Sequence, residues 1–138
     1  MKHTRAFILA FSFLTFAPCS VVADDWPQWR GPERAGKSSE KGLLKQWPDD
    51  GPPLAWSIEG VGGGYSSIAI ADKKIFTLGD LEDGCYAIAL SESDGSQIWK
   101  TKLGAAGGHR GYPGPRSTPT VHGDQVFVLN QHGDLACL

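Results

Sequence analysis

Two glycine-rich segments carry aromatic and cationic side chains that could bind a ligand. Residues 60–65 read Gly-Val-Gly-Gly-Gly-Tyr, and residues 104–112 read Gly-Ala-Ala-Gly-Gly-His-Arg-Gly-Tyr. The candidate ligand-binding residues in and next to these segments are Tyr65, Arg110, Tyr112 and Arg116. Rings that stack and guanidinium groups that donate charge-assisted hydrogen bonds suit a carbohydrate, another small molecule or an anionic ligand. The alternative interpretation is that glycine and proline only shape long connections.

Other reactive side chains give weaker signals. His109, His122 and His132 fall in predicted loops without the short spacing typical of metal ligands, so no metal site is predicted. The acidic loop 80–84 lacks the alternating carboxylates of a calcium loop and is interpreted as a solvated turn. No serine nucleophile elbow is present either. The catalytic residues, if the chain has any, are therefore not identified by the sequence.

Cys85 and Cys137 are the cysteines that follow the N-terminal segment. An oxidising compartment would permit them to pair, but their spacing does not require it. Cys137 lies in the alternating run Leu-Ala-Cys-Leu at residues 135–138. This pattern favours a buried free thiol that packs as a small apolar group.

An internal repeat indicates which elements position the candidate residues. Residues 66–78 align with residues 117–129 at a separation of 51 residues. Each copy reads as a strand, a tight polar turn and a second strand, which predicts a β-hairpin. A third strand follows in each copy, at residues 85–90 and 135–138. Because both glycine-rich segments precede the first strand of a copy, we expect them on one face of the molecule.

A fourth strand is predicted at residues 97–101, and its upstream counterpart is residues 54–57. Trp99 follows Trp56 by 43 residues. Four short strands in a unit of this length are typical of a β-propeller blade. The predicted fold is therefore all-β: an antiparallel meander forming a partial β-propeller, with one full four-stranded blade and most of a second. Since propellers usually have at least four blades, we expect a truncated or N-terminal fragment that needs missing downstream blades, or another propeller segment, as its partner.

Residues 89–99 resemble the tryptophan-docking repeat of quinoprotein-like (pyrroloquinoline-quinone-like) β-propellers. The alanine, glycine and tryptophan of that motif correspond to Ala89, Gly95 and Trp99. Its usual Asp, Thr and Lys are replaced by Ser91, Asp94 and Ser96. The resemblance implies that the indole packs between the alanine of its own blade and the glycine-bearing turn of the next. These residues are thus expected to be structural.

Residues 25–32 and 111–119 look like parts of exported bacterial proteins that carry these repeats. The resemblance implies either a binding and scaffold module, which includes a carbohydrate-binding propeller, or the N-terminal part of a dehydrogenase that acts on alcohols or polymers such as polyvinyl alcohol. Pyrroloquinoline quinone (PQQ) and calcium are possible cofactors of a full-length relative, and a quinone carboxylate is then a further possible ligand. The chain has no adjacent cysteine pair of the kind found in many of these alcohol dehydrogenases. We expect this fragment to hold no complete active site and no cofactor.

The N-terminal residues predict export. Lys2 and Arg5 precede an apolar stretch at residues 6–17, and residues 21–23 read Val-Val-Ala. This is the pattern of a secretory signal peptide, cleaved here after Ala23. The expected organisation is a signal peptide at 1–23, a lead segment at 24–53 and incomplete propeller repeats at 54–138. The protein is then periplasmic or extracellular, and no transmembrane span is predicted.

The charge balance bears on the partners. The formal net charge is −2, and the basic residues form no cluster. Proteins that bind DNA or RNA usually carry a concentrated positive surface. A nucleic-acid partner is therefore not expected.

Overall fold

The computed structural model describes residues 23–138, and the predicted signal peptide lies outside them except for Ala23. The described chain contains antiparallel strands and no helix, so the all-β prediction is confirmed. The nine strands are β1 (Ala69–Ala71), β2 (Lys74–Leu81), β3 (Gly84–Ser91), β4 (Gln97–Gly104), β5 (Gly108–His109), β6 (Tyr112–Pro113), β7 (Thr120–His122), β8 (Gln125–Leu129) and β9 (Leu135–Cys137).

Three antiparallel sheets follow one another along the chain. Strands β1 to β4 form a four-stranded meander, β5 and β6 a small hairpin, and β7 to β9 a three-stranded sheet. The β1–β2 turn consists of Asp72 and Lys73, which both have positive φ, as a tight two-residue hairpin of the primed type requires. The hairpins predicted from the repeat are present in both copies.

The repeat is also visible in the hydrogen bonds. Ser66 Oγ accepts from the Leu78 amide at 3.2 Å in the first copy. In the second copy Ser117, which lies 51 residues later, donates from its Oγ to the Leu129 carbonyl. Ser66 Oγ also donates to the Ser117 carbonyl at 2.7 Å. Equivalent serines that precede β1 and β7 therefore bond to the second strand of each copy, and Ser66 also links the two copies.

The main core lies between the two larger sheets. Phe76 and Leu78 of β2 face the same side as Ala87 and Ala89 of β3, their neighbours across the strands. This side packs against β8 through Val126 and Val128. The alanines leave room for the larger side chains, so that the sheets approach closely.

The opposite side of the four-stranded sheet is also covered. Ile75, Ile88 and Leu90 are buried there beneath residues 54–61, which contribute Trp56, Ile58 and Val61. Burial on both faces explains why β3 is almost continuously apolar, and why β2 has the adjacent apolar residues Ile75 and Phe76, instead of a strict alternation. Residues 54–57 do not form the predicted strand, because they lie on the sheet face and no neighbouring strand pairs with them.

The lead segment contacts the first strand of each larger sheet. Trp26 exchanges two backbone hydrogen bonds with Ile70 of β1, at 2.8 and 2.9 Å. The Pro27 carbonyl accepts from the Val121 amide of β7 at 2.8 Å. Two adjacent residues therefore connect the two sheets.

Candidate functional site

Tyr65 and Tyr112, from the two glycine-rich segments, form the centre of an exposed aromatic cluster. Their ring centroids are 6.0 Å apart, and the rings meet edge to face at 71°. The imidazole of His109 stacks on Tyr112 at 5.9 Å with an interplanar angle of 23°. We call these three rings the aromatic platform. Tyr65 and Tyr112 are 57% and 60% exposed, so ring surface remains available to a ligand.

Glycine makes this arrangement possible. A Cβ on Gly64 would lie 2.8 Å from Pro115, and a Cβ on Gly114 would lie 2.8 Å from the Gly64 Cα. The Tyr65 amide donates to the Pro115 carbonyl at 2.7 Å in the same crossing. The two segments therefore cross with their backbones in contact, which larger residues would prevent. Glycine does shape the connections, as the alternative interpretation held, and in doing so it brings the two tyrosines together.

The two arginines lie at different places around the platform. Arg116 donates from its guanidinium to the Tyr112 carbonyl, and so holds the backbone of Tyr112. Arg110 lies in the two-residue turn between His109 and Tyr112, which face each other across the β5–β6 hairpin. The Gly111 amide donates to His109 Nδ1 at 3.1 Å, which fixes the ring of His109 within the same turn.

Asp80 supports the base of this hairpin. Its carboxylate accepts from the Gly107 amide at 2.6 Å and from Gln131 Nε2 at 2.9 Å. The Gly107 carbonyl in turn accepts from the Gly114 amide at 2.7 Å. Asp80 and Gln131 therefore position the chain on both sides of the platform.

The acidic loop differs in part from its interpretation as a solvated turn. Asp80 belongs to β2 and is only partly exposed, with hydrogen bonds to both oxygens. Asp83 lies in the turn, where it pairs with Lys102 at 3.0 Å and accepts from the Tyr86 hydroxyl. The hydrogen bond from Lys102, and to a smaller extent the one from Tyr86, holds the pKa of the Asp83 carboxyl below its usual value.

Neither cysteine is joined in a disulfide. Cys85 is fully buried, and burial, together with the neighbouring Asp80 charge, raises the pKa of its thiol to about 12. It is therefore a protonated thiol at physiological pH and not a nucleophile. Cys137 is exposed, so the prediction that it is buried is wrong. Its side of β9 faces solvent, because in the three-stranded sheet no further strand or segment covers it.

Ala89, Gly95 and Trp99 lie in the four-stranded sheet. Ala89 of β3 pairs with Trp99 of β4, and Trp99 packs against Phe76 with ring centroids 6.0 Å apart. Gly95 lies in the β3–β4 turn and contacts Trp56, not Trp99. A Cβ on Gly95 would lie 2.8 Å from the Trp56 ring and 2.6 Å from Ile58.

Trp56 is also fixed by a hydrogen bond. Its indole Nε1 donates to the Glu92 carbonyl, in the same turn as Gly95, at 3.0 Å. Trp99, which is the later counterpart of Trp56, instead lines an open groove of about 390 Å³ between the two larger sheets. The other residues that line this groove are Lys74, Phe76, Thr101, Asp124, Val126 and Leu138.

Metal and membrane features are sparse in the part of the chain that the structure describes. Among residues 23–138, no three His, Cys, Asp or Glu side chains come together as a metal-binding group. Both oxygens of Asp80 accept hydrogen bonds from N–H donors, those of Gly107 and Gln131. Within the same range, no helix is long and apolar enough to cross a membrane.

Three residues that support or extend the platform were not identified from the sequence. The sequence places His109 in a loop without metal-ligand spacing and Asp80 in a solvated turn, and it predicts no role for Gln131. The repeat carried a signal for two of them, because Asp80 and Gln131 are 51 residues apart and so occupy equivalent positions. Comparison of the chain with protein-family models, curated proteins and solved structures finds no match.

Proposed function

We propose that this chain forms consecutive blades of an exported, quinoprotein-like β-propeller that acts as a binding and scaffold module. The observation that carries the proposal is the contact of Trp56 with the turn that contains Gly95. A tryptophan that precedes one four-stranded unit packs on the glycine of that unit's last turn. This is the relationship that the docking motif implies between one blade and the next.

The groove beside Trp99 supports the same assignment. Trp99 holds the position of Trp56 in the following repeat, and it is partly exposed next to apolar side chains of both sheets. A turn equivalent to the one that covers Trp56 would fill this groove. Further blades, from this polypeptide or another, are therefore the proposed structural partners.

A binding role is favoured over catalysis by the chemistry of the described side chains. The aromatic platform is exposed and lacks a nearby pair of groups suited to exchange a proton with a substrate. The pKa shifts point the same way. Those of Asp72, Asp83 and Asp94 are lowered by hydrogen-bond partners, while that of Cys85 is raised to about 12. Each of these shifts moves the pKa of the group further from pH 7, whereas an acid or base catalyst would titrate near that pH.

A double-mutant cycle tests the docking contact. Gly95→Ala should lower the free energy of unfolding by about 2 to 3 kcal/mol, because the new methyl group meets Trp56 and Ile58 at a positive φ. In a Trp56→Ala background the same change should cost about 1 kcal/mol less, because only the backbone strain and the contact with Ile58 remain. Urea denaturation of the chain from Asp24 would measure both values.

The matched control is Gly123→Ala. Gly123 lies in the β7–β8 turn, also at positive φ, with nothing within 4 Å of its added methyl group. Its cost should be the same with and without Trp56. Equal costs of Gly95→Ala in the two backgrounds would show that Trp56 does not dock there, and the propeller assignment would lose its main support.

Cofactor addition tests whether the described residues by themselves bind the cofactors of the dehydrogenase that the resemblance also implies. Titration of PQQ with calcium into the same chain should leave the tryptophan fluorescence unchanged. Calcium-dependent, saturable quenching would favour the dehydrogenase and contradict the proposed scaffold role.

A further inference from the structure

The aromatic platform presents its rings in a fixed arrangement. The Tyr65 amide, the Tyr112 carbonyl and the Gly107 amide are each held by a hydrogen bond to a different partner. More than half of each tyrosine side chain is nevertheless exposed. A ligand that stacks on these rings would therefore order little of the protein when it binds.

The chain around the β5–β6 hairpin carries cationic and no acidic side chains, although the whole protein is slightly acidic. No Asp or Glu occurs between residues 95 and 123, and this stretch contains Arg110 and Arg116. Among the described residues, the ion pairs are those of Lys74 and Lys102, so neither arginine is neutralised by a carboxylate. The nearest supporting acid, Asp80, directs its oxygens to Gly107 and Gln131.

The two copies of the repeat have the same residue at a hydrogen-bonding position but different residues at the exposed position next to it. Ser66 and Ser117 are the same residue at equivalent positions, and both bond to the equivalent leucines. The positions immediately before them hold Tyr65 in one copy and Arg116 in the other. Both side chains are exposed and lie outside the two buried clusters of the core. An aromatic ring in one copy and a guanidinium in the other therefore come from residues outside the core.

We propose that the aromatic platform and Arg110 bind a polysaccharide whose sugar rings carry anionic groups; this rests on the proposed role of the chain as a binding module. A sugar ring presents a face of C–H groups that stacks on the tyrosine rings. A carboxylate or sulfate on that sugar accepts hydrogen bonds from the Arg110 guanidinium, whose planar fork matches either group.

The charge distribution favours a polysaccharide over a nucleic acid. A nucleic-acid strand places a phosphate at every nucleotide, and its binding surfaces follow the backbone with many cationic contacts. Two arginines, Arg110 and Arg116, lie in the chain next to the platform rings, and Arg116 is engaged with the Tyr112 carbonyl. A polymer with isolated anionic groups and stacking ring faces fits this composition better.

Isothermal titration calorimetry on the chain from Asp24 tests the proposal with four probes. Polygalacturonate supplies carboxylates, its methyl ester removes the charge from the same sugar, dextran sulfate supplies sulfates, and oligothymidylate represents a nucleic acid. We expect polygalacturonate or dextran sulfate to bind, and the better of the two identifies the anionic group. The methyl ester should bind roughly tenfold more weakly than polygalacturonate if carboxylate is that group, the loss expected for one charge-assisted hydrogen bond.

Two variants assign the binding to the platform. Tyr112→Ala should abolish it, and Arg110→Gln should weaken it roughly tenfold. Trp47→Ala removes a ring that is 62% exposed and lies outside the platform, so it should bind like the unaltered chain. The thermal midpoint of each variant, measured in parallel, checks that the fold is retained.

Three results would overturn the proposal: no binding of either anionic polysaccharide, equal binding of a polysaccharide with and without its charge, or tighter binding of oligothymidylate. None of them would affect the double-mutant cycle of Trp56 and Gly95. Failure of the ligand assignment is therefore distinguishable from failure of the propeller assignment.

Discussion

Asp80 and Gln131 occupy the same position in the two repeats and hydrogen bond to each other at 2.9 Å. An equivalent pair is unusual in that its two members have complementary chemistry, an acceptor in one copy and a donor in the other. Asp80 also accepts a hydrogen bond from the Gly107 amide, at the base of the hairpin that carries His109 and Tyr112. A position of the repeat on the same face of β2 as Phe76 and Leu78 thus supports the candidate site.

The two cysteines should differ sharply in reactivity. In the chain from Asp24, a thiol reagent such as DTNB at pH 8 should modify Cys137 rapidly. Cys85 should react only after unfolding, because it is fully buried and its raised pKa keeps it protonated. The measurement is the count of thiols released with and without denaturant.

Cys137→Ser is the control, since it should remove the fast phase and leave the slow one. An absence of free thiols in the denatured, unreduced chain would reveal a disulfide and contradict the structure at both positions.

The sequence predicted part of the candidate site. Tyr65, Arg110, Tyr112 and Arg116 were grouped because each precedes the first strand of a repeat, and repeats place such residues on one face. The contact between the tyrosines could not be predicted, because it depends on the close crossing of Gly64 and Gly114. The stacking of His109 on Tyr112 arises from a two-residue hairpin that has no clear strand pattern of its own.

At the scale of elements, the first strands of the two larger sheets depend on the lead segment. Trp26 adds backbone hydrogen bonds to β1, and Pro27 adds one to β7. Both strands are only three residues long. The segment therefore covers edges that would otherwise leave backbone groups unpaired.

Trp26→Ala should accelerate hydrogen exchange at the Ile70 and Val121 amides. The Trp26 ring packs against Gly31, where an added Cβ would lie 2.9 Å from it, and loss of the ring frees the segment from this turn. Trp29→Ala is the matched control, because Trp29 is 62% exposed and contacts Arg30. NMR-detected exchange would measure both variants. Equal protection in the two would contradict a role of Trp26 in holding the segment.

The hairpins were predicted because alternating apolar residues and tight polar turns are local signals. The strand expected at residues 54–57 is absent, since pairing depends on a neighbour that local sequence does not specify. Pro52 and Pro53 also lack the amide that a ladder needs. The segment packs by its side chains instead, through Trp56, Ile58 and Val61.

At the scale of the whole molecule, the four-stranded sheet is enclosed on both sides. Residues 54–61 cover one face, and the three-stranded sheet covers the other. The Gly95 turn of this sheet contacts Trp56, which precedes the sheet in the chain. Trp99 of the same sheet lines the groove next to the following sheet. An element with complementary features on its two sides can be stacked repeatedly, which is the property that a propeller requires.

The most direct test of this stacking is the NMR signal of the Gly95 Hα protons. We expect an upfield ring-current shift of one Hα, together with nuclear Overhauser effects to the Trp56 indole, both of which disappear in Trp56→Ala. Hα protons at ordinary shifts, without effects to Trp56, would contradict the docking of one repeat on the next.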